Sequence, residues 1–265
     1  MLGLRNHSRL GVLWVLLLSA ALQLIAQTDP LPDAPSASAP TRQISWKLLL
    51  PNVVHDQKPI WLFPRALAGG KHLNPTLVVL SVTAGLIAID PVVSPYFRRS
   101  QSFSAFNKDF SGDNTTLAML AFPVAFYISG LERKDAYAQH TVLLASEAVI
   151  DSEILTTVVK DLDRRALPGE VPDKTRFGDT WFEGRGQWFR GVGSFPSGHS
   201  IAAFSMATVF ADRYPKPRWH RWVAFGLAGL VGFSRVPLQA HYASDIFAGA
   251  VLGYSIAHYA VLKLP

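Results

Sequence analysis

The sequence contains six apolar or amphipathic stretches, and their length limits the folds that the chain can adopt. They cover about residues 74–90, 115–131, 136–159, 197–212, 219–235 and 242–262. Each is long enough to form a membrane-spanning helix or a long helix of a bundle, and no sustained strand-like alternation of polar and apolar residues occurs. We therefore predict an all-α fold, a helical bundle of about six core helices.

The composition favours a membrane-embedded bundle. Hydrophobic residues make up 49% of the 265 residues and charged residues only 17%, compared with about 25% charged residues in an average soluble domain. The mean hydropathy of +0.20 is nevertheless modest for a wholly lipid-embedded protein. The net charge of +6 suits an anionic partner, but the basic residues are scattered among apolar segments, so we expect no nucleic-acid partner. The absence of cysteine excludes disulfides, Cys-based zinc sites and a Cys-nucleophile phosphatase.

The chain divides into four segments. Residues 1–26 have the layout of a signal peptide, with basic residues before an apolar run, and an uncleaved anchor helix is the alternative. Residues 27–43 form a Pro-rich linker. Residues 44–73 are predicted as an interfacial segment, and residues 74–265 as the helical bundle.

Spaced glycines in the last two stretches predict close helix crossings. Gly226, Gly229 and Gly232 follow one another at intervals of three residues, and Gly249 and Gly253 form a G-x-x-x-G pattern. Small residues at such spacing let two helix backbones approach each other.

Polar residues are concentrated where the apolar stretches begin or end. If the helices alternate in direction, the end of the third, the start of the fourth, the end of the fifth and the start of the sixth all lie at one end of the bundle. The polar residues at these four places are Lys160, Ser197, Gly198, His199, Ser234, Arg235, His241 and Asp245. We therefore expect them to form one cluster, although more than eighty positions separate the first from the last.

The residue types in this cluster suit phosphoryl transfer through a phosphohistidine. His241 and Asp245 are four residues apart on one helix face, so the carboxylate can hold one ring nitrogen and leave the other free to attack. His199 is a second imidazole that can protonate a leaving group. Lys160 and Arg235 supply positive charge, and the amides at 197–199 form a helix N-terminus that favours anions.

Each part of the cluster also has an ordinary interpretation. Residues 196–199 alone would usually only begin a helix, and a His-x-x-x-Asp pair is commonly a surface pair. His199, His241 and Asp245 could together bind a metal. The nearby cations would repel a metal and suit an anion, so we expect no metal and no cofactor.

The same residues resemble those of the type 2 phosphatidic acid phosphatase and vanadium haloperoxidase superfamily. That family carries three motifs, K-x6-R-P, P-S-G-H and S-R-x5-H-x3-D. The second is complete here at residues 196–199 and the third at residues 234–245. The resemblance covers about residues 74–262 when the order of the six helices is included.

The resemblance implies a phosphatase that cleaves a lipid phosphate or pyrophosphate, of the phosphatidic acid or isoprenoid pyrophosphate type, through a phosphohistidine intermediate. It implies that His241 is the nucleophile, Asp245 its orienting partner and His199 the general acid. The residues that it places on the phosphoryl oxygens are Lys160, Arg235, Ser197 and Gly198. It implies no metal, and vanadate would act only as a phosphate analogue.

The first motif departs from the family pattern. Lys160 and Pro168 are in place, but Leu167 stands where the pattern has arginine. Arg164 or Arg165 could reach back to the phosphate, and our expectation is placed on Arg165. The other candidate substitutes, from the following loop, are Arg185 and Arg190. The alternatives are an exported soluble acid phosphatase, a vanadate-dependent haloperoxidase-like oxidase, and an inactive membrane protein of the same fold.

Short basic loops predict which side of the membrane holds the cluster. They lie at the end opposite the cluster and contain Arg133, Lys134, Arg213, Lys216, Arg218 and Arg221. Because basic loops stay in the cytoplasm, we expect the cluster on the extracytoplasmic side of a cell membrane. A translocated N-terminus followed by six crossings gives the opposite side, unless residues 44–73 cross once more, the N-terminal run is not translocated, or some helices do not span. In the last case the protein could be periplasmic.

Overall fold

The computed structural model describes residues 42–172, 177–183 and 191–263, and every regular element in these ranges is helical. The prediction of an all-α fold is therefore confirmed. The α-helices are α1 (Leu49–Ala68), α2 (Leu73–Arg99), α3 (Ser104–Asp109), α4 (Gly112–Glu132), α5 (Ala136–Asp163), α6 (Gly198–Arg213), α7 (Trp219–Ser234) and α8 (Ala243–Ser255). A 3-10 turn covers Pro168–Glu170, and a π-helical turn over Ile256–Val261 continues α8. The predicted signal segment and almost all of the predicted linker lie outside the described residues.

Helix α6 is the central helix of the bundle and packs against α5, α7 and α8. The interior between these helices is built largely from small side chains, such as Ala145 and Ala148 on α5 and Ala203 and Ala207 on α6, all of them buried. Small side chains let the helix axes approach closely, so backbone contacts replace much of the interlocking of large apolar side chains.

The glycines of α8 are where two backbones come closest. A Cβ atom on Gly253 would collide with the carbonyl oxygen of Ile201, and one on Gly249 would lie 2.7 Å from the carbonyl oxygen of Ser197. The predicted G-x-x-x-G crossing is therefore present, between α8 and the start of α6. In contrast, a Cβ on Gly226 or Gly229 would meet nothing within 4 Å, so the expectation of a close crossing is wrong at these two positions. A Cβ on Gly232 would lie 2.9 Å from Cγ2 of Ile246, so the third glycine of the series does mark a close contact with α8.

The segment predicted as interfacial contains helix α1, which docks on α5 through buried polar groups. Asn52 donates to the Oε1 atom of Glu147 at 2.8 Å, and Gln57 donates to the Oδ1 atom of Asp151 at 2.7 Å. These contacts explain why α5 carries carboxylates within an otherwise apolar helix, since both carboxylates face α1 and are fully buried.

Among the described residues, two helices are long and apolar enough to cross a membrane, namely α2 and α4. They are also poorly covered by the rest of the protein, because only 6% and 17% of their most apolar windows are buried. Large apolar side chains such as Val78 and Leu80 on α2 and Leu117 and Leu120 on α4 are exposed. Apolar surface of this extent needs a non-aqueous partner, and a bilayer supplies one.

Candidate active site

The Pro-Ser-Gly-His segment begins helix α6. Ser197 is the N-cap residue, and its hydroxyl accepts a hydrogen bond from the backbone N–H of Ser200. Its own backbone N–H donates to the carbonyl oxygen of Asp245 at 3.0 Å, which ties the start of α6 to the start of α8. Both helix N-termini therefore meet at one end of the bundle, where the positive ends of the helix dipoles favour an anion.

His241 precedes α8 and has one ring nitrogen committed to the protein. Its Nδ1 atom lies 2.7 Å from the carbonyl oxygen of Ser194. Because a carbonyl oxygen only accepts, Nδ1 carries the proton and Nε2 of the neutral ring is left with a free lone pair. The sequence predicted Asp245 as the partner of this ring, but its Oδ2 atom is 3.6 Å from Nδ1. The backbone carbonyl is thus the closer acceptor, and the carboxylate supports the ring electrostatically.

Burial lowers the pKa of His241, and the neighbouring Asp245 carboxylate opposes this shift. Only 6% of the residue is exposed. A lowered pKa keeps the imidazole neutral at physiological pH, which is the state that can act as a nucleophile.

Asp245 lies on the first turn of α8 and is held by three further donors. The backbone N–H of Tyr242 donates to Oδ2 at 2.8 Å, and the Ser194 hydroxyl donates to the same oxygen. Arg165 donates to Oδ1 from Nη1 at 2.6 Å. Because a fully buried carboxylate needs such partners to remain ionised, this network holds both the position and the charge of Asp245.

Arg165 has a different place from the one expected of it. Its guanidinium donates to Asp245, to Ser244 at 2.7 Å and to Asp90 at 2.8 Å, and it is 1% exposed. It also lies over the rings of Tyr242 and Trp181, with distances of 3.9 and 4.5 Å from its Cζ atom to the ring centroids.

The expectation that Arg165 binds the substrate phosphate is therefore corrected. The two buried carboxylates bind this guanidinium more strongly than a solvent-exposed phosphate site would, because the attraction between charges is stronger in the protein interior. Arg185 and Arg190, the candidates from the following loop, lie outside the described residues. Leu167 is half-buried and precedes the 3-10 turn.

Asp90 on α2 is a charged residue of this network that was not among the predicted site residues. It is fully buried and accepts from the backbone N–H of Ser244 at 3.3 Å, from the Ser244 hydroxyl at 2.5 Å and from Arg165. A carboxylate inside a long apolar helix was the available signal, because such residues face the bundle interior and find a partner there.

Arg235 follows α7 and is anchored to the start of α4. Its Nη2 atom donates to the carbonyl oxygen of Phe110 at 2.5 Å and to the hydroxyl of Thr115 at 2.7 Å, while Nε donates to Ser234 at 3.0 Å. It is almost completely buried. These contacts fix one edge of the guanidinium.

His199 on the first turn of α6 lies among the cations of the cluster. Burial lowers its pKa to about 4, and the positive charges of Arg235 and Lys160, together with that of the His241 ring when it is protonated, add to this effect. The four residues are therefore neighbours in space, as the alternation of helix directions predicted. A negatively charged phosphoryl group bound here would reverse part of the shift and favour the protonated ring.

Lys160 lies on the last turn of α5 and faces the same cluster. Burial lowers its pKa, which the carboxylates of Glu153, Asp245 and Asp163 counteract. Two glycines of the following loop, Gly191 and Gly193, pack against it. The ammonium group is thus placed near the His241–Asp245 pair, while loop backbone covers its stem.

The geometry favours an anion over a metal. The described residues contain no group of three or more His, Asp or Glu side chains arranged to hold a metal ion. The oxygens of Asp245 already accept from Arg165, Ser194 and Tyr242. Two helix N-termini, Lys160 and Arg235 instead surround the histidines with positive potential, which suits a phosphoryl group.

Comparison with known proteins agrees with this geometry. Residues 136–264 match the sequence model of the PAP2 superfamily. The chain is 35% identical to the lipid A 1-phosphatase of Rhizobium etli over 106 residues, which are 40% of this chain and 42% of that protein. It is 26% identical to the lipid A 4'-phosphatase of Porphyromonas gingivalis over 111 residues, which are 42% of this chain and 45% of that protein.

A solved structure matches part of this chain. It is that of a transmembrane PAP2 type phosphatidylglycerolphosphate phosphatase from Bacillus subtilis, with a TM-score of 0.49 and 22% identity, covering 71% of this chain and 92% of that chain. The matched segments span less than half the length of the curated relatives. The segment that matches the PAP2 superfamily, residues 136–264, contains both complete motifs.

Proposed function

We propose that the protein is a phosphatase that removes phosphate from a phosphorylated lipid. The observation that carries this proposal is the state of His241. Its Nδ1–H is bonded to the Ser194 carbonyl at 2.7 Å, its Nε2 is free to attack, and it lies beside His199, Arg235 and Lys160. This is the arrangement that an activated imidazole nucleophile requires.

The proposed reaction has two displacement steps at phosphorus. Nε2 of His241 attacks the phosphoryl group and forms a P–N bond, while the P–O bond to the leaving alcohol or phosphate breaks and His199 supplies its proton. Water then attacks the phosphohistidine and gives its proton to His199, releasing inorganic phosphate and free His241. Lys160, Arg235 and the amides at the start of α6 bind the phosphoryl oxygens throughout.

The buried network orients the nucleophile in both steps. When His241 is bonded to phosphorus its ring is positively charged, and Asp245 3.6 Å away stabilises that charge. Arg165 keeps Asp245 ionised and in place through its 2.6 Å bond. The catalytic contribution proposed for Asp245 is therefore electrostatic and positional.

The proposed substrate is a lipid whose phosphate lies at the membrane surface. The exposed apolar helices α2 and α4 support membrane association. If both helices span the bilayer, their ends near the active site place that site at the level of the lipid headgroups. The candidate substrates are phosphatidic acid, an isoprenoid pyrophosphate and, because lipid A phosphatases are among the relatives, a glycolipid phosphate. The basic loops at 133–134 and 213–221 support an active site on the extracytoplasmic side.

A substrate panel on the purified full chain in detergent tests the proposal. It contains phosphatidic acid, an isoprenoid pyrophosphate, a lipid A-type glycolipid phosphate and 4-nitrophenyl phosphate, each assayed for released phosphate with and without EDTA. We expect cleavage of at least one lipid, unchanged by EDTA and inhibited by vanadate. His241→Ala and His199→Ala should each lower kcat by more than roughly a thousandfold.

Two results would contradict the mechanism. The first is full activity of His241→Ala, which would remove the nucleophile from the reaction. The second is loss of activity in EDTA with recovery on adding a divalent metal. Release of phosphate from 4-nitrophenyl phosphate without cleavage of any lipid would instead support the exported acid phosphatase.

A further inference from the structure

The first turn of α4 reaches into the active site from outside the family-matched residues 136–264. We propose that Thr116 on this turn is a positioning residue for the general acid, holding the His199 ring through its hydroxyl in both protonation states. The proposal rests on the proposed function, because it assigns His199 the task of transferring a proton.

The contact joins the two functional groups directly. Oγ1 of Thr116 lies 3.3 Å from Nε2 of His199, across 83 positions of sequence. The backbone of Gly112 on the same turn also bonds to His199. The ring is therefore held from α4, a different helix from the one that carries it.

A hydroxyl suits this place for a chemical reason. His199 must hold a proton before the first step, lose it to the leaving group, and regain it from water. A threonine hydroxyl can donate to a neutral Nε2 and can accept from a protonated Nε2, so it holds the ring in either protonation state until the proton passes from Nε2 to the leaving oxygen or from water to Nε2. A carboxylate could only accept while ionised, and an ammonium group could only donate.

The turn that carries Thr116 is itself held firmly. The Ser111 hydroxyl caps α4 by accepting from the backbone N–H of Asn114 at 3.3 Å. The neighbouring Thr115 accepts from Arg235 at 2.7 Å and donates to the Phe110 carbonyl at 3.2 Å. The position of Thr116 relative to Arg235, one of the proposed phosphate ligands, is thus fixed. Through its contact with His199, Thr116 can also fix the position of that ring relative to the phosphate.

The substitutions Thr116→Val and Thr116→Ser test the role. Valine has the shape of threonine without the hydroxyl, and serine keeps the hydroxyl. Because Thr116 is exposed, neither change should disturb the fold. We expect Thr116→Val to lower kcat roughly tenfold on a lipid substrate with little change in KM, a fraction of what a general acid contributes, and Thr116→Ser to stay near wild type.

Two readouts separate positioning from a general structural effect. On 4-nitrophenyl phosphate, whose leaving group needs little protonation, Thr116→Val should lose much less activity than on the lipid. The basic limb of the kcat pH profile, which reports His199 in the substrate complex, should move to lower pH in Thr116→Val. Thr76→Val is the matched control, since the Thr76 hydroxyl bonds only the carbonyl of His72 at the far end of α2.

NMR titration of the histidine ring protons tests the contact without catalysis. The His199 resonance, assigned by its loss in His199→Ala, should titrate at a different pH in Thr116→Val than in the wild type. An unchanged titration, or a kcat and pH profile equal to those of the wild type, would overturn the role of Thr116 while leaving the phosphatase proposal intact. An inactive wild-type protein with an altered Thr116→Val titration would instead overturn the proposed function alone.

Discussion

Two arginines, the fully buried Arg165 and the largely buried Arg42, each bridge a pair of carboxylates, but only Arg165 contacts the candidate active site. The catalytic-end triad consists of Arg165 with Asp90 and Asp245, and the α1 triad consists of Arg42 with Asp56 and Glu147. In both, the shortest N–O distance is 2.6 Å and all four carboxylates are fully buried. The local chemistry of the two triads is therefore nearly the same.

The difference lies in what surrounds each triad. The catalytic-end triad contacts His241 through Asp245, at 3.6 Å, and that histidine keeps a free nitrogen next to His199. The α1 triad adjoins Asp151, whose Oδ2 atom is buried with no hydrogen-bond partner in the described part of the chain. A buried arginine between two carboxylates is thus a way to dock helices. It forms part of the candidate active site only where His241 and the cations proposed to bind phosphate lie next to it.

Replacing the arginine of each triad should give the largest difference between them. Arg165→Met and Arg42→Met each leave two buried carboxylates without their cation, which costs about 3–5 kcal/mol of folding free energy. We expect similar losses of stability, measured by thermal unfolding in detergent, but a fall in kcat of at least roughly a hundredfold only for Arg165→Met, because Asp245 loses its partner. A comparable fall in kcat for folded Arg42→Met would show that the two triads are not functionally distinct.

Removing one neutral hydrogen-bond donor from each triad should show the same difference with a smaller loss of stability. Ser194→Ala removes a hydroxyl bond to Asp245, and Asn52→Ala removes the 2.8 Å bond to Glu147. Each should cost about 1–3 kcal/mol of stability, since the carboxylate acceptor stays buried. Only Ser194→Ala should lower kcat, by roughly tenfold. Equal kcat values in the two variants would show that the hydrogen bond to Asp245 does not affect catalysis.

The smallest expected effect is a pH dependence of stability at Asp151, which lies beside the α1 triad. Burial raises the pKa of Asp151 to about 7, so the folded protein binds this proton more tightly than the unfolded chain does. Its contribution is therefore present at low pH and is lost as the pH rises from about 4 through 7. Asp151→Asn should stabilise the protein at pH 8 but not at pH 4, with kcat unchanged. Equal unfolding temperatures of the two proteins at pH 8 would contradict this.

The core of the candidate site could be predicted because it depends on helix direction. Lys160 ends one helix, residues 197–199 begin the next, and Arg235 and His241 lie at the following end and start, so alternation alone brings them together. The all-α class follows from the six apolar stretches in the same way. Neither prediction needs the packing of any particular pair of side chains.

The supporting residues could not be predicted with the same reasoning. Arg165 was expected at the phosphate, because an arginine near the position of Leu167 has the right charge. It lies instead between Asp90 and Asp245, 75 and 80 positions away in sequence. Thr116 was not singled out, because a threonine at the start of an apolar helix is unremarkable until His199 is placed beside it.

From the sequence alone we could predict the six core helices, their order and the end of the bundle at which two histidines, a carboxylate and two cations meet. These properties follow from apolar periodicity and from motif spacing, which are local. Three contacts became known only from the three-dimensional structure: the cations near the proposed phosphate site, the acceptor that binds Nδ1 of His241 and the helix that contacts His199. Those contacts depend on the desolvation of buried charges, and a charge selects its partner by distance in three dimensions rather than by separation along the chain.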